Sequence, residues 1–263
     1  MNTLYFTRRE FLRASACAAA GLWLAACAPP IPTSANYYVA NKTRIIKDLD
    51  PILRQMRKLT AQSHGEALAA TVASETMAEF ERLLPQLPYI GGDRNTLTDT
   101  LIHSTGALAF YRVMKTHDQP AQETGRLLYR TIEALALQSS ALSGLSGQMA
   151  QSKAPQNQFK RMAEASQKRL YPDDWVLTFV EGDGKIFDFG VDYTECGLCK
   201  FNHAQGADEL TPYLCLGDFP VSQVYDTGLV RTTTIARGGS HCDFRFKSGR
   251  PIQMEWTPDF LKE

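Results

Sequence analysis

The sequence carries no surplus of charge of either sign: 28 lysines and arginines face 28 aspartates and glutamates. Removing residues 1–26, which hold Arg8, Arg9, Arg13 and Glu10, changes that balance little. Binding nucleic acid through phosphate neutralisation needs a positive excess, so nucleic acid is not an expected partner. A long hydrophobic run is also missing. The most apolar stretch, 14–26, is shorter than the ~20 residues that cross a bilayer. The one Cys-x-x-Cys, Cys196-Gly197-Leu198-Cys199, lacks the second such pair that usually completes a structural zinc site. The 263 residues, 44% of them hydrophobic, suffice for one globular unit or two small ones.

The N-terminus is an address. Thr7-Arg8-Arg9-Glu10-Phe11-Leu12-Arg13, an alanine-rich apolar stretch and Leu24-Ala25-Ala26-Cys27 follow in the order of a twin-arginine export signal with a lipobox. This predicts a signal peptide over 1–26 and acylation of Cys27. Lipid anchoring would then face the periplasm or cell exterior, with the membrane as an address and not a substrate. Pro29, Pro30 and Pro32 predict an extended tether over 27–42. The twin-arginine route carries folded proteins, some with a cofactor already inserted, which slightly favours a metal.

Behind the tether the hydrophobic period is helical. Asp50-Pro51 reads as an N-cap followed by proline at the first helical position, predicting a helix over 51–62. Looser stripes follow up to Pro85, from near Asn95 through Tyr111, and through Leu127, Ile132 and Leu135. After Tyr171-Pro172 the period becomes two. Trp175, Leu177 and Phe179 alternate before Gly182-Asp183-Gly184, and Phe187, Phe189, Val191 and Tyr193 alternate after it, predicting a hairpin. A second hairpin is expected from 229–236 and 242–247, with helices over 195–205 and 207–225 between the two. The expected fold is α+β: a helical region, 43–170, followed by an antiparallel sheet region with intervening helices, 171–263.

Chemistry concentrates in that last region, where Cys196, Cys199, Cys215 and Cys242 stand among acids and histidines. A helix beginning at Glu195 would put Cys196, Cys199 and His203 on one face. Cys215 and Asp218 stand three apart, and strand alternation puts Cys242, Phe244 and Phe246 on one face with Asp243 and Arg245 on the other. Three readings remain open. The thiols could form two disulfides in an oxidising compartment. A zinc-like ion could take ligands from Cys196, Cys199, His203, Cys215 and Cys242. A thiolate could act as nucleophile, with Glu195, Asp192 or Asp218 moving protons.

The segment from Tyr171 to Lys247 resembles the L-2-amino-thiazoline-4-carboxylic acid hydrolase family. The resemblance lies in Asp188-Phe189-Gly190-Val191-Asp192-Tyr193-Thr194-Glu195-Cys196, in Pro212-Tyr213-Leu214-Cys215 with Asp218, and in Gly228-Leu229-Val230-Arg231-Thr232 running to Cys242-Asp243-Phe244-Arg245. It implies hydrolytic opening of a cyclic amidine in a small-molecule substrate, at a non-peptide carbon-nitrogen bond. The expected catalytic set is Cys215 or Cys196 as nucleophile, Glu195 and Asp218 for proton transfer, and Cys242 beside them. Arg231 or Arg245, near Asp192, would hold a substrate carboxylate. Each has a plainer reading: Glu195 as a helix cap, Asp218 in a turn, the arginines paired with acids across the sheet, and His203 and His241 at the surface. A non-catalytic metal- or ligand-binding protein and a thiol redox protein using Cys196 and Cys199 are the alternatives.

Overall fold

Helices come first and the sheet second, as the change of hydrophobic period predicts. The computed structural model describes residues 34–143 and 153–262; Arg8, Arg9 and Cys27, with the signal and lipidation they suggest, lie outside the described residues. Helices α1 (Ser34–Ala40), α2 (Lys42–His64), α3 (Glu66–Leu83), α4 (Thr98–Thr116), α5 (Ala121–Ser143) and α6 (Lys153–Ser166) precede strands β1 (Val176–Glu181) and β2 (Phe189–Glu195). Then come α7 (Gly197–Ala204), α8 (Thr211–Cys215), α9 (Asp218–Val224), β3 (Leu229–Val230) and β4 (Cys242–Phe246). The strands form an antiparallel sheet in the order β1-β2-β4-β3. Among the described residues, no helix is long and apolar enough to cross a membrane.

Packing overrides local signals at the start of the chain. Pro51 does not open a helix; α2 runs through it, and Asp50 pairs with Arg54 at 2.5 Å instead of capping. A proline inside a helix costs about 3 kcal/mol. Ile45, Leu49 and Met56 lie buried on one face across the proline and offset that cost. The last residues of the expected tether are helical too. Tyr38 of α1 is fully buried and donates its hydroxyl to the Pro88 carbonyl at 2.9 Å, while Tyr37 packs edge-on against Tyr89. Helix α4 starts at Thr98, three residues past Asn95, whose side-chain oxygen accepts the Leu97 N–H at 2.9 Å.

The first hairpin forms as the alternation predicts, with a longer connection than an Asp-Gly turn. Glu181 pairs with Phe189, and in the loop the Asp183 carboxylate accepts the N–H groups of Lys185 and Ile186. The second hairpin is truncated. Only Leu229 and Val230 pair with β4. Beyond them the Arg231 N–H goes to the Gln253 carbonyl, and the N–H groups of Thr232 and Thr233 go to the Asp243 carboxylate, each at 2.8 Å. Side-chain capture of these donors replaces the strand ladder, and a 3₁₀ turn, Ile235–Arg237, follows. The helix expected over 207–225 is divided into α8 and α9. Pro212 and Pro220 lack the N–H a continuous helix needs, and each sits in the first turn of its own short helix.

Trp175, Leu177, Val191, Leu198 and Phe201 of the sheet region are buried in the same core as Leu101, Leu108 and Met114 of α4. The helices therefore wall one face of the sheet, and the cavity described next lies on that face.

Candidate active site

Side-chain alternation divides the sheet into two chemical faces. Tyr193 pairs with Cys242, Val191 with Phe244 and Phe189 with Phe246, so these six side chains share a face. That face, together with α6, α8, α9 and the start of α7, encloses a cavity of about 540 Å³ lined by Cys196, Cys215, Asp218, Arg231 and Cys242 among others. Asp192 and Arg245 lie on the other face, joined Nη1 to Oδ1 at 2.6 Å. The Arg245 side chain crosses the β2 backbone at Gly190, where a Cβ would come within 2.8 Å of its Cδ. The two are partners of one another, away from the thiols.

The helix expected to begin at Glu195 begins two residues later. Glu195 ends β2, Cys196 holds the N-cap position with extended backbone, and α7 starts at Gly197. Glu195 is ion-paired with Arg169 and with Lys200, the latter at 2.5 Å, and these two cations keep its carboxyl below the usual range. It is absent from the cavity lining. His203 projects to solvent beside Asp208 at 3.0 Å, so it does not join the thiols.

The N-cap position gives Cys196 its character. The neighbouring Cys199 thiol, the N–H groups of Cys199 and Leu198 at the helix start and the Trp175 side chain all favour its thiolate, and together they outweigh burial and lower its pKa. Cys199 moves the opposite way, because a second negative sulfur beside Cys196 is disfavoured. Trp175 reaches this close only because residue 197 is glycine: a Cβ there would lie 2.8 Å from the indole and 2.7 Å from the Asp173 carbonyl.

The remaining thiols are held neutral. Burial pushes Cys215 well above its ordinary value, and its main-chain carbonyl accepts an Arg231 N–H at 2.7 Å. Burial raises Cys242 to about 11, although the Ile235 N–H points at its sulfur from 3.3 Å. All four thiols are unbridged, so the disulfide reading is not realised here.

Arg231 organises the far wall. Its guanidinium is almost fully buried between the rings of Phe219 and Phe244, 4.8 and 4.9 Å from their centroids. Nε and Nη2 meet the two Glu255 oxygens at 3.1 Å each, and Nη1 meets Asp218 Oδ2 at 2.8 Å. With the bond to Cys215, four of its five N–H donors are engaged. Asp218 keeps an exposed edge that opens into the cavity. Enclosure raises its pKa; Arg231 opposes that rise, and the nearby Glu255 charge adds to it. One guanidinium thus serves two carboxylates, Asp218 and Glu255.

Tyr193 completes the polar end. It lies in the field of Asp218, Cys196 and Cys242, and burial raises its phenol above the ordinary value, which keeps it a neutral donor. The sequence motifs include Tyr193 but give it no role, and Glu255 carries no signal at all. A buried arginine at 231 would have demanded a carboxylate partner, but its burial is a tertiary fact. Among the described residues, no three histidine, cysteine or carboxylate side chains are grouped so as to hold a metal ion. Of the five ligands expected from spacing, His203 stands at the surface and Cys199 is outside the cavity lining, while Cys196, Cys215 and Cys242 line it.

No curated protein and no solved structure matches the chain. The model of the L-2-amino-thiazoline-4-carboxylic acid hydrolase family matches residues 100–246, which run from α4 through β4 and hold all four thiols, Asp218 and Arg231. Over more than half its length, then, the chain carries that family's pattern, and it belongs to the L-2-amino-thiazoline-4-carboxylic acid hydrolase family.

Proposed function

We propose that the protein is a hydrolase that opens a small cyclic amidine at a non-peptide carbon-nitrogen bond, with Cys196 as nucleophile and Asp218 as proton carrier. The single observation that carries the reading is the placement of a helix N-cap thiol, Cys196, and a carboxyl, Asp218, around one cavity, with the thiol's proton affinity lowered and the carboxyl's raised. Displacements of these signs favour a thiolate nucleophile and a carboxylic acid proton donor in the same site.

The steps balance as follows. The Cys196 thiolate adds to the amidine carbon while the Asp218 carboxylic acid protonates the ring nitrogen. The carbon-nitrogen bond breaks, leaving the ring open and its carbon on sulfur. Asp218, now a carboxylate, takes a proton from water as that water adds to the same carbon. Collapse expels the Cys196 thiolate as the hydroxyl proton passes to the nitrogen still on that carbon, and the carbon leaves as a carbonyl. Tyr193 donates a hydrogen bond to the nitrogen or oxygen that gains charge. Arg231 acts through Asp218, holding its orientation.

The leading sequence of Arg8, Arg9 and Cys27 supports, as part of the same proposal, export by the twin-arginine route and lipid anchoring outside the cytoplasm. The test is turnover of 2-amino-2-thiazoline ring compounds followed by mass spectrometry. Cys196→Ala should reduce ring opening by on the order of 10³-fold or more while the fold survives. Unchanged turnover in that variant would refute the nucleophile assignment.

A further inference from the structure

We infer that the substrate carries an apolar group where the family's namesake carries a carboxylate, and this rests on the hydrolase reading of the same cavity. Three observations point to such a ligand.

First, among the described residues the cavity offers no cation free to clamp a carboxylate with two donors. Arg231 is the basic residue among the described lining residues, and four of its five N–H donors are committed to Glu255, Asp218 and the Cys215 carbonyl, which leaves no two-donor fork for a carboxylate. Arg245 is committed to Asp192 on the opposite face of the sheet. Residues 144–152 contain no lysine, arginine or histidine. To be gripped by two donors, a substrate carboxylate would have to displace Asp218 or Glu255 from Arg231, exchanging a formed charged hydrogen bond for a new one and leaving the displaced carboxylate without its partner.

Second, the other charged residues that line the cavity, apart from Arg231, are acids. Asp218 stands at the reacting end, and Asp188 lies elsewhere on the wall, held by Lys247 at 2.8 Å and by the Ser248 N–H at 3.0 Å. An acid at the reacting end suits a neutral amidine, whose ring nitrogen can accept the Asp218 proton, and gives a substrate carboxylate no opposite charge to meet.

Third, the rest of the wall is aromatic and larger than one ring requires. Phe159 of α6 packs on Phe189 and Phe246, with centroids 5.9 and 6.1 Å away, and those two stack at 4.8 Å. Met162 and Leu229 extend the same surface. A cavity of 540 Å³ falls in the range, roughly 300–1,000 Å³, of sites that enclose drug-sized ligands. A single five-membered ring with a carboxylate would leave most of this surface wet. An aryl or branched alkyl group on the ring would cover it, with the amidine carbon at Cys196 and the nitrogens at Asp218.

The experiment compares three probes on the full chain: 2-amino-2-thiazoline, its 4-phenyl derivative and its 4-carboxylate. Binding is measured by titration calorimetry and ring opening by mass spectrometry. The phenyl compound should exceed the carboxylate at least tenfold in affinity and in kcat/KM. Phe159→Ala should erase most of the phenyl compound's advantage over the unsubstituted ring, and Met162→Ala reads the same wall if the first variant fails to fold. Binding of the carboxylate as tight as or tighter than that of the phenyl compound overturns the inference, as does failure of every probe to bind. Tight binding of the phenyl compound with no ring opening of any probe would support the ligand class and defeat the hydrolase reading, so the two failures are distinct.

Discussion

Arg231 and Glu255 meet edge to edge, Nε to Oε2 and Nη2 to Oε1 at 3.1 Å each, with both side chains at most 3% exposed. Twenty-four residues apart in sequence, they form a sealed charge pair whose third member, Asp218, is the one that opens into the cavity. Removing one partner of a buried pair strands the other charge, which costs about 3–5 kcal/mol. Glu255→Gln should lower stability near the small end of that range, because Asp218 remains to face the guanidinium. Urea unfolding would read it as a lower midpoint with an unchanged slope; an unmoved midpoint would mean that Glu255 carries no such role.

Asp218→Asn keeps the shape and a hydrogen bond to Arg231 while removing the transferable proton. Turnover should fall about 10²–10⁴-fold, the usual contribution of a positioned acid-base group. In the unaltered protein, activity should fall on the acid side as the Cys196 thiolate is protonated, and on the alkaline side as Asp218, raised from 3.8, loses its proton. The variant should lose the alkaline limb and retain the acid one. A pH profile of kcat/KM that keeps both limbs would assign the alkaline one elsewhere.

Among the four thiols, Cys196 should be alkylated first by iodoacetamide at neutral pH, since its pKa is lowered from 9.0 while those of Cys199, Cys215 and Cys242 are raised. Cys199→Ala takes away the foremost support of the thiolate, so the labelling rate of Cys196 should rise at a higher pH than in the unaltered chain. Mass-resolved labelling across a pH series measures this. An unshifted curve would show that the helix N–H groups and Trp175 suffice without Cys199.

Gly197→Ala should act on the same sulfur from the other side. The added methyl cannot fit 2.7 Å from the Asp173 carbonyl and 2.8 Å from Trp175, so the indole must withdraw. Overpacking of this kind costs about 1–3 kcal/mol. Stability should drop by that amount, and Cys196 labelling should shift to higher pH with it. Normal stability and labelling would mean that the 173–175 segment yields freely.

Asp243 binds the chain that leaves β3. Burial works against its charge, yet the Thr232 hydroxyl and the N–H groups of Thr232 and Thr233 hold its pKa below 3.8. A depressed carboxylate contributes stability that is present above its unfolded value and lost as pH falls through the folded one. Asp243→Ala should therefore destabilise the protein by about 1–3 kcal/mol at neutral pH and by less below pH 3. Thermal melts at pH 7 and at pH 3 would show the difference shrinking; an equal loss at both would contradict the sign.

The hydrophobic period by itself determined the order of helices before sheet, the β1–β2 hairpin and the side of β4 on which Cys242, Phe244 and Phe246 lie. Those follow from local geometry, since a strand alternates and a helix repeats whatever surrounds it. The motifs around Cys196, Cys215 and Cys242 marked the region of the cavity for the same reason: they are contiguous in sequence. Only the tertiary structure decided which residues share the cavity. Glu195 was given away to Arg169 and Lys200, Arg245 to Asp192, and His203 to solvent, because a charged side chain settles on the partner that packing brings near. Glu255 entered the site from a segment with no pattern, because a buried guanidinium at Arg231 has to be matched by a carboxylate wherever the chain can supply one. The opposite displacements of Cys196 and Asp218 are likewise tertiary: they depend on which dipoles and charges surround each group, and no spacing along the chain encodes that.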